Sequence, residues 1–194
     1  MGRVFLDITM SLDGFVTAPG ADLAHGLGIG GEPLHDWVAD PAEADRKVLD
    51  QLFAEVGAVL MGRRTFDVID GPQGWERDDA APPVFVVTSH RPARVRLGDR
   101  FRFETDGIVP ALKSAKAAAG AKDVVVMGGG HLCRQYLYAG LVDEVRIHLA
   151  PIVLGDGTPL FERTTIPPIR LVQRDTVSTP NATHLTYDVV RQEK

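Results

Sequence analysis

The chain has 194 residues, of which 44% are hydrophobic and 24% charged, and its formal net charge is −5. These values are typical of one soluble globular domain, predicted here over residues 1–194, and they disfavour nucleic acid as a partner. No apolar run approaches the about 20 residues of a membrane span, and the N-terminus lacks a signal-peptide pattern, so we expect a cytoplasmic protein without membrane contact. The single cysteine, Cys133, excludes an internal disulfide and a cysteine-rich zinc site, and no metal is predicted.

The first half of the chain alternates between predicted strands and helices. Residues 4–10 are apolar and β-branched, which predicts a buried strand, whereas residues 15–31 lack a period and indicate a loop. Apolar residues at helical spacing predict a helix over residues 41–56. The remaining expectations are a helical turn at 34–38, a strand at 58–61, a helix at 64–69, a loop at 70–83, a strand at 84–88 and a short edge strand at 101–103.

The second half continues the alternation and then ends in strands. We expect a helix at 110–119, a strand at 124–127, a helix at 132–139, a strand at 144–150 and a closing hairpin at 169–177 and 183–190. This order predicts an α/β fold with a largely parallel central sheet, helices on both faces and an antiparallel C-terminal hairpin. In open sheets of this kind, ligands bind at the carboxyl ends of the parallel strands.

The first strand end of chemical interest is at Gly62, where a strand gives way to a helix. Arg63, Arg64 and Thr65 follow it and bring two guanidinium groups and a hydroxyl next to backbone N–H groups. A phosphate or pyrophosphate is bound by groups of this kind. The alternative is an ordinary basic helix start with Gly62 as a turn.

The second strand end carries Thr88, Ser89 and Arg91. Hydroxyl groups and an arginine after a buried strand suit a ribose 2′-phosphate, the group that distinguishes NADP from NAD. An ordinary polar loop explains the same residues.

The third strand end is the glycine turn, Gly128, Gly129 and Gly130, which is followed by a helix that starts near His131 and Leu132. Glycines allow a close approach of the backbone to a ligand, and a helix N-terminus attracts phosphate. The turn does not satisfy the G-x-G-x-x-G pattern, and the chain has no G-x-x-x-x-G-K-[ST] segment. A tight connection without a ligand is the alternative.

Together, these three segments resemble those of dihydrofolate reductase-like proteins. Residues 11–14, 141–145 and 150–155 are similar to the riboflavin branch of that group, the C-terminal reductase domain of the bifunctional riboflavin-pathway deaminase-reductase. The resemblance covers nearly the whole chain and implies a dihydrofolate reductase-like three-layer fold. Met127 or Gly128 stands where the riboflavin reductases usually have an acidic residue, so the glycine turn indicates the cofactor more than the substrate.

The resemblance also implies the location of an NADPH site. Gly62, Arg63, Arg64 and Thr65 would bind phosphate, and Thr88, Ser89 and Arg91 would take the adenosine end. Gly128, Gly129, Gly130, His131 and Leu132 would cover the diphosphate and the nicotinamide ribose, with Thr9 and Val16 near the nicotinamide.

The substrate side is less clearly marked. The dihydrofolate enzymes place a carboxylate on the helix after the first loop, and Asp36 is the candidate here, which we expect to act as the general acid. Asp13 is a second nearby carboxylate, although a turn cap is its more ordinary role. His35 and Trp37 could line a flat heterocycle pocket, or Trp37 could simply pack in the core.

The expected function is an NADPH-dependent reductase that transfers hydride to a small heterocyclic substrate, a pyrimidine such as 5-amino-6-(5-phosphoribosylamino)uracil or a pterin. A nucleotide-binding or regulatory module without turnover is the alternative. Relatives of this kind are often homodimers, so we expect a homodimer as well.

Overall fold

Strands and helices alternate along most of the chain in this computed structural model, which describes residues 2–72, 74–76, 78 and 80–191. The strands are β1 (Val4–Ser11), β2 (Phe15–Thr17), β3 (Val56–Gly62), β4 (Val84–Val87), β5 (Phe101–Glu104), β6 (Asp123–Val126), β7 (Glu144–Ala150), β8 (Thr158–Pro159), β9 (Leu171–Ser178) and β10 (Thr183–Val189). The α-helices are α1 (Asp36–Ala39), α2 (Glu43–Glu55), α3 (Arg63–Ile69), α4 (Ile108–Ala119) and α5 (Gly130–Tyr138).

The main sheet has eight strands in the order β5-β4-β3-β6-β1-β7-β10-β9. Neighbours from β5 to β7 pair in parallel, while β10 runs antiparallel to both β7 and β9. The predicted α/β fold, with its mostly parallel sheet and antiparallel C-terminal hairpin, is confirmed. β2 and β8 form a separate two-stranded sheet.

The alternation of side chains along β1 divides the core into two layers. Val4 and Leu6 face the layer that contains α4 and α5, whereas Phe5 faces the layer that contains α3. Because successive residues of a strand point to opposite faces, one apolar strand can serve both layers. The helices therefore cover both faces, as the sequence predicts.

The structure differs from the sequence predictions in two short regions. The predicted loop at 15–31 begins with the strand β2, which pairs with β8. The predicted helical turn at 34–38 is a 3-10 turn, Glu32–His35, that continues into α1. Residues 73, 77 and 79 of the predicted loop at 70–83 lie outside the described residues.

Among the helices of the described residues, none combines the length and the apolar character that a membrane crossing would require.

Candidate functional site

The carboxyl ends of four neighbouring parallel strands meet at one edge of the sheet. β4, β3, β6 and β1 lie side by side, so the segments that follow Val87, Gly62, Val126 and Ser11 lie at the same edge. The order of the strands in the sheet differs here from their order in the sequence, because β6 lies between β1 and β3. Such a switch point is where doubly wound α/β folds bind ligands.

The glycine turn forms the middle of this edge. Gly128 has φ +85°, a conformation that favours glycine, and its carbonyl accepts a 3.1 Å hydrogen bond from the N–H of Gly62. Gly129 is the N-cap of α5, which begins at Gly130. The turn therefore joins the ends of β3 and β6 and places the N-terminus of a nine-residue helix beside them.

Thr65, on α3, lies against the glycine turn. A methyl group added to Gly129 would lie 3.5 Å from the Thr65 hydroxyl oxygen, and one added to Gly128 would lie 3.8 Å from it. The bare backbone of the turn, a hydroxyl and the first N–H groups of α5 are thus gathered in one place. This is the donor set and the lack of side-chain bulk that a diphosphate requires.

The two predicted arginines at this edge differ in their contacts. Arg63 donates from Nε to the Asp67 carboxylate at 2.7 Å and from Nη1 to the carbonyl of His90 at 3.1 Å. Arg64 is exposed and donates to the carbonyl of Ala21 at 3.3 Å. Arg63 therefore fastens α3 to the loop after β4, and Arg64 extends over the long loop after β2.

The loop after β4 carries the predicted adenosine residues. The Thr88 hydroxyl donates to the carbonyl of His90 at 3.0 Å, and the Ser89 hydroxyl lies 2.9 Å from Nδ1 of His90. Ser89 and Arg91 are exposed and Thr88 is half-buried. This loop adjoins Arg63, so the first and second predicted segments are brought together.

His131 and Leu132, predicted to cover the cofactor, have different surroundings. His131 is exposed and its Nε2 lies 2.7 Å from the Gln135 amide nitrogen, whereas Leu132 is buried in the core layer with α4. A methyl group on Gly62 would lie 3.7 Å from Cβ of Leu132, so Leu132 packs next to Gly62 at this edge of the sheet.

Val16 on β2 and Pro159 on β8 lie against Gly130, the last glycine of the turn. A methyl group on Gly130 would lie 3.0 Å from the Pro159 carbonyl oxygen and 3.2 Å from Cγ2 of Val16. Arg134, which is buried on α5, donates to the Pro159 carbonyl and pairs with Glu162 at 2.5 Å. Sequence reasoning missed Arg134, whose signal is a cation on the inward face of an apolar helix.

Trp37 and Thr9 are in direct contact. The indole N–H of Trp37 donates to the Thr9 hydroxyl at 3.0 Å, and both side chains are buried. His35 and Asp36, which precede Trp37 in the chain, are exposed. The structure thus places Trp37, and not Asp36, against the end of β1.

Asp13 joins two loops. Its carboxylate accepts the N–H groups of Leu154 at 3.1 Å and Gly155 at 2.7 Å and the Ser11 hydroxyl at 2.6 Å. The hydroxyl bond of Ser11, followed by the backbone bonds of Gly155 and Leu154, lowers the pKa of Asp13 to about 2. These contacts correspond to the turn-capping role that sequence reasoning considered, since the carboxylate is engaged by the loops.

Cys133 lies on α5 just after the glycine turn, fully buried. Burial raises the pKa of its thiol to about 12. A thiol in this state is a core side chain and not a nucleophile.

Four linked, buried titratable residues, two of which contact Trp37, were missed by sequence reasoning. The Asp7 carboxylate lies 3.2 Å from Nε2 of His148, whose Nδ1 lies 2.7 Å from Nδ1 of His184. Nε2 of His184 lies 2.7 Å from the Asp45 carboxylate. The only sequence signal is a polar side chain at a buried position of three strands and one helix, which does not reveal that the four meet.

This fold and edge define a class. A three-layer α/β fold, with a mostly parallel sheet, an antiparallel C-terminal strand pair and a glycine turn at the carboxyl edge, is that of the dihydrofolate reductase-like proteins. The chain matches the model of the RibD C-terminal domain over residues 3–185, and it belongs to that family.

Individual relatives agree with this assignment. The chain is 28% identical over 167 residues to the uncharacterized protein YyaP of Bacillus subtilis, with 82% of this chain and 80% of that protein covered. It is 28% identical over 171 residues to the riboflavin biosynthesis protein RibD of Corynebacterium ammoniagenes. This match covers 80% of this chain but only 44% of that longer protein.

Solved structures show the same fold. A putative riboflavin biosynthesis protein from Shewanella sp. PV-4 superposes with a TM-score of 0.73 at 24% identity, covering 97% of this chain and 99% of that one. RibD from Acinetobacter baumannii gives a TM-score of 0.71 at 19% identity, covering 98% of this chain and 59% of that one.

Proposed function

We propose that this protein is an NADPH-dependent reductase that transfers hydride to a C=N or C=O bond of a small heterocyclic substrate. Membership of the RibD C-terminal domain family implies a reductase-like role in riboflavin biosynthesis. The observation that carries the proposal is the glycine turn with Thr65 and the start of α5 at the edge where parallel strands end. A diphosphate is bound by this arrangement in many nucleotide-binding folds.

Each part of the edge has a role in this proposal. The glycine turn and Thr65 bind the diphosphate of the cofactor, and Thr88, Ser89 and Arg91 take the 2′-phosphate end. When bound, NADPH supplies the hydride. Thr9, Val16 and Trp37 hold the acceptor ring on the side of β1. The substrate class we favour is a pyrimidine such as 5-amino-6-(5-phosphoribosylamino)uracil, with a pterin as the second choice.

Direct binding tests the cofactor half of the proposal. Titration of the protein with NADPH and NADH, followed by nucleotide fluorescence, should show saturable binding with NADPH the tighter ligand. Absence of binding by either nucleotide would rule out both a reductase and a regulatory nucleotide-binding module. Binding of NADPH without oxidation in the presence of pyrimidines or pterins would favour the regulatory module.

Thr65→Val tests the diphosphate contact. The substitution keeps the side-chain shape but removes the hydroxyl beside Gly129, so we expect the dissociation constant for NADPH to rise about tenfold, the loss of one hydrogen bond to a charged group. Thr165→Val, at an exposed position distant in sequence from the glycine turn, is the matched control and should bind like the parent. Equal affinity of both variants would remove Thr65 from the site.

A further inference from the structure

Among the described residues, the hydrogen-bonded chain of Asp7, His148, His184 and Asp45 is a group of buried titratable side chains that the proposed site does not use. Its links run across three strands and one helix, β1, β7, β10 and α2. Each of the four residues is less than one tenth exposed. Buried polar groups must be satisfied by hydrogen bonds, so the proton count of this chain is constrained.

The three contacts of the chain fix that count. The two histidines have four ring nitrogens, and the contacts are Asp7 to His148, His148 to His184 and His184 to Asp45. With both carboxylates ionised, each contact needs one proton on a ring nitrogen, which makes three protons in all. Two neutral histidines carry only two, so one contact would then bring two lone pairs together. Two protonated histidines carry four and would face each other N–H to N–H.

All three contacts are therefore satisfied only when the two histidines share one extra proton. Burial is the largest effect on His184 and lowers its pKa, and although the hydrogen bond to Asp45 acts in the opposite direction, the pKa stays below its ordinary value, which opposes a second proton. Burial tends to raise the pKa of Asp45, but the hydrogen bonds from His184 and the N–H of Ala42 lower it overall, so this carboxylate stays ionised.

The shared charge lies directly against the site. The His148 ring is 4.3 Å from the Trp37 ring, and the His184 ring is 5.0 Å from it. Trp37 in turn bonds to Thr9, whose Cα is paired with that of His148 across β1 and β7. The indole ring of Trp37 thus contacts both histidines and also Thr9, near the carboxyl end of β1.

The surroundings of the chain supply a route for proton exchange. A cavity of about 300 Å³ borders Asp7, His148 and His184, and α2 contributes Lys47 and Gln51 to its wall. The other charged groups that face the cavity are Arg146, Arg174 and Asp175. Arg146 is paired with Glu144 and Glu55, Arg174 with Glu144 and Lys47 with Glu43, so these cations have carboxylate partners other than Asp7 and Asp45.

We propose that Asp7, His148, His184 and Asp45 form one proton-sharing chain that keeps a single positive charge against Trp37, and that the chain acts as a positioning unit for the β1 side of the cleft. Hydride arrival leaves negative charge on the acceptor, and a fixed positive charge nearby favours that state. This second role rests on the proposed reductase function, whereas the shared proton does not.

Asp45→Asn is the sharpest test because it is isosteric. The amide oxygen can still accept the N–H of Ala42, which the Asp45 carboxylate does at 2.8 Å, while the amide NH₂ donates to His184. All contacts of the chain are then satisfied by two neutral histidines, so the extra proton is no longer needed. Asp50→Asn makes the same change at an exposed position of the same helix and is the matched control.

Emission from Trp37 reports the shared proton without any ligand. The protein has two tryptophans, so a Trp75→Phe background isolates the emission of Trp37. A protonated imidazole in contact with an indole quenches its fluorescence. We expect weak emission at neutral pH that rises in base in the background protein and in Asp50→Asn. Asp45→Asn should emit strongly already at neutral pH, and so should Asp7→Asn. Identical titrations in all four proteins would overturn the shared proton.

Turnover tests the positioning role. With NADPH and 5-amino-6-(5-phosphoribosylamino)uracil, Asp45→Asn should lower kcat on the order of tenfold and leave the dissociation constant for NADPH unchanged. The pH at which kcat falls should match the pH at which Trp37 emission rises. An unchanged kcat in a variant that has lost the quenching would overturn the positioning role. If the parent binds no NADPH, the reductase proposal fails, and the shared proton is still decided by Trp37 emission.

Discussion

At the scale of single residues, three features of the structure depend on one side chain each. Asp13 holds two loops through a carboxylate, Thr65 offers a hydroxyl to the glycine turn, and His184 links the C-terminal hairpin to α2. Glycine turns and strand-end hydroxyls are visible in a sequence, because their residue types are unusual at those positions. The partner of His184 is not, because Asp45 lies 139 positions away in the chain.

The lowered pKa of His184 makes stability depend on pH. In the unfolded chain this histidine titrates near its ordinary value of about 6.5, whereas in the folded protein, beyond the proton proposed to be shared with His148, burial opposes a second proton on the pair and lowers the pKa of His184. Below about pH 6.5 the unfolded state therefore binds more protons, and the free energy of unfolding should fall by up to about 1.4 kcal/mol per pH unit until the folded-state pKa is reached.

Urea unfolding at pH 7 and pH 5 measures this effect. His184→Asn should have a shallower dependence on pH than the parent, because the titrating group is gone. His25→Asn, at an exposed histidine in the loop after β2, should keep the parental slope. A slope for His184→Asn equal to or steeper than that of His25→Asn would contradict this assignment.

At the scale of elements, the parts that the sequence predicts well are those that carry their own pattern. β1, β4 and β6 are short apolar runs bounded by turns, and α2 and α4 repeat apolar residues at helical spacing. β2 and β8 are three and two residues long, too short for any period to be read. Their pairing depends on contacts between distant loops, such as the Leu160 N–H bond to the Gly14 carbonyl.

The start of α5 shows how closely these elements meet. A methyl group on Gly130 would lie 3.0 Å from the Pro159 carbonyl oxygen, so Gly130→Ala would push β8 and Val16 away from the helix. We expect a loss of about 1–3 kcal/mol in the free energy of unfolding, as for other overpacked sites. Thermal unfolding checks this, and Ala139→Gly at the exposed other end of α5 should cost less than about 1 kcal/mol. Equal losses in the free energy of unfolding of the two variants would mean that β8 can move away from Gly130 without a measurable cost.

At the scale of the whole molecule, the sheet ends in two unlike edges. β5 is four residues long, whereas β9 is eight residues long and largely exposed, with Leu171 40% and Val172 55% accessible. A long exposed edge is a surface on which another strand can pair. The homodimer expected from the resemblance remains a proposal. Because β9 is the longer and more exposed edge, we favour it as the surface of that dimer.

Sedimentation measurements test that proposal. The parent should sediment as a dimer at micromolar concentration, and Val172→Lys should shift it toward the monomer, because a charge on an edge strand opposes pairing. Val109→Lys, at an exposed apolar position of α4, is the matched control and should leave the dimer intact. A parent that sediments as a monomer would refute the homodimer, and a Val172→Lys dimer would move it to another surface.

The position of β1 between β6 and β7 has a consequence for biosynthesis. Val4 is paired with Val124 and Phe5 with Glu144, so β1 leaves the ribosome before both of its neighbours and can pair only after they emerge. Until then its apolar side chains are exposed on a nascent chain, and the loops to be closed are longer than a hundred residues. Folding dominated by such distant pairings is slow, and the interval before β7 emerges is when this chain is most open to aggregation or chaperone capture.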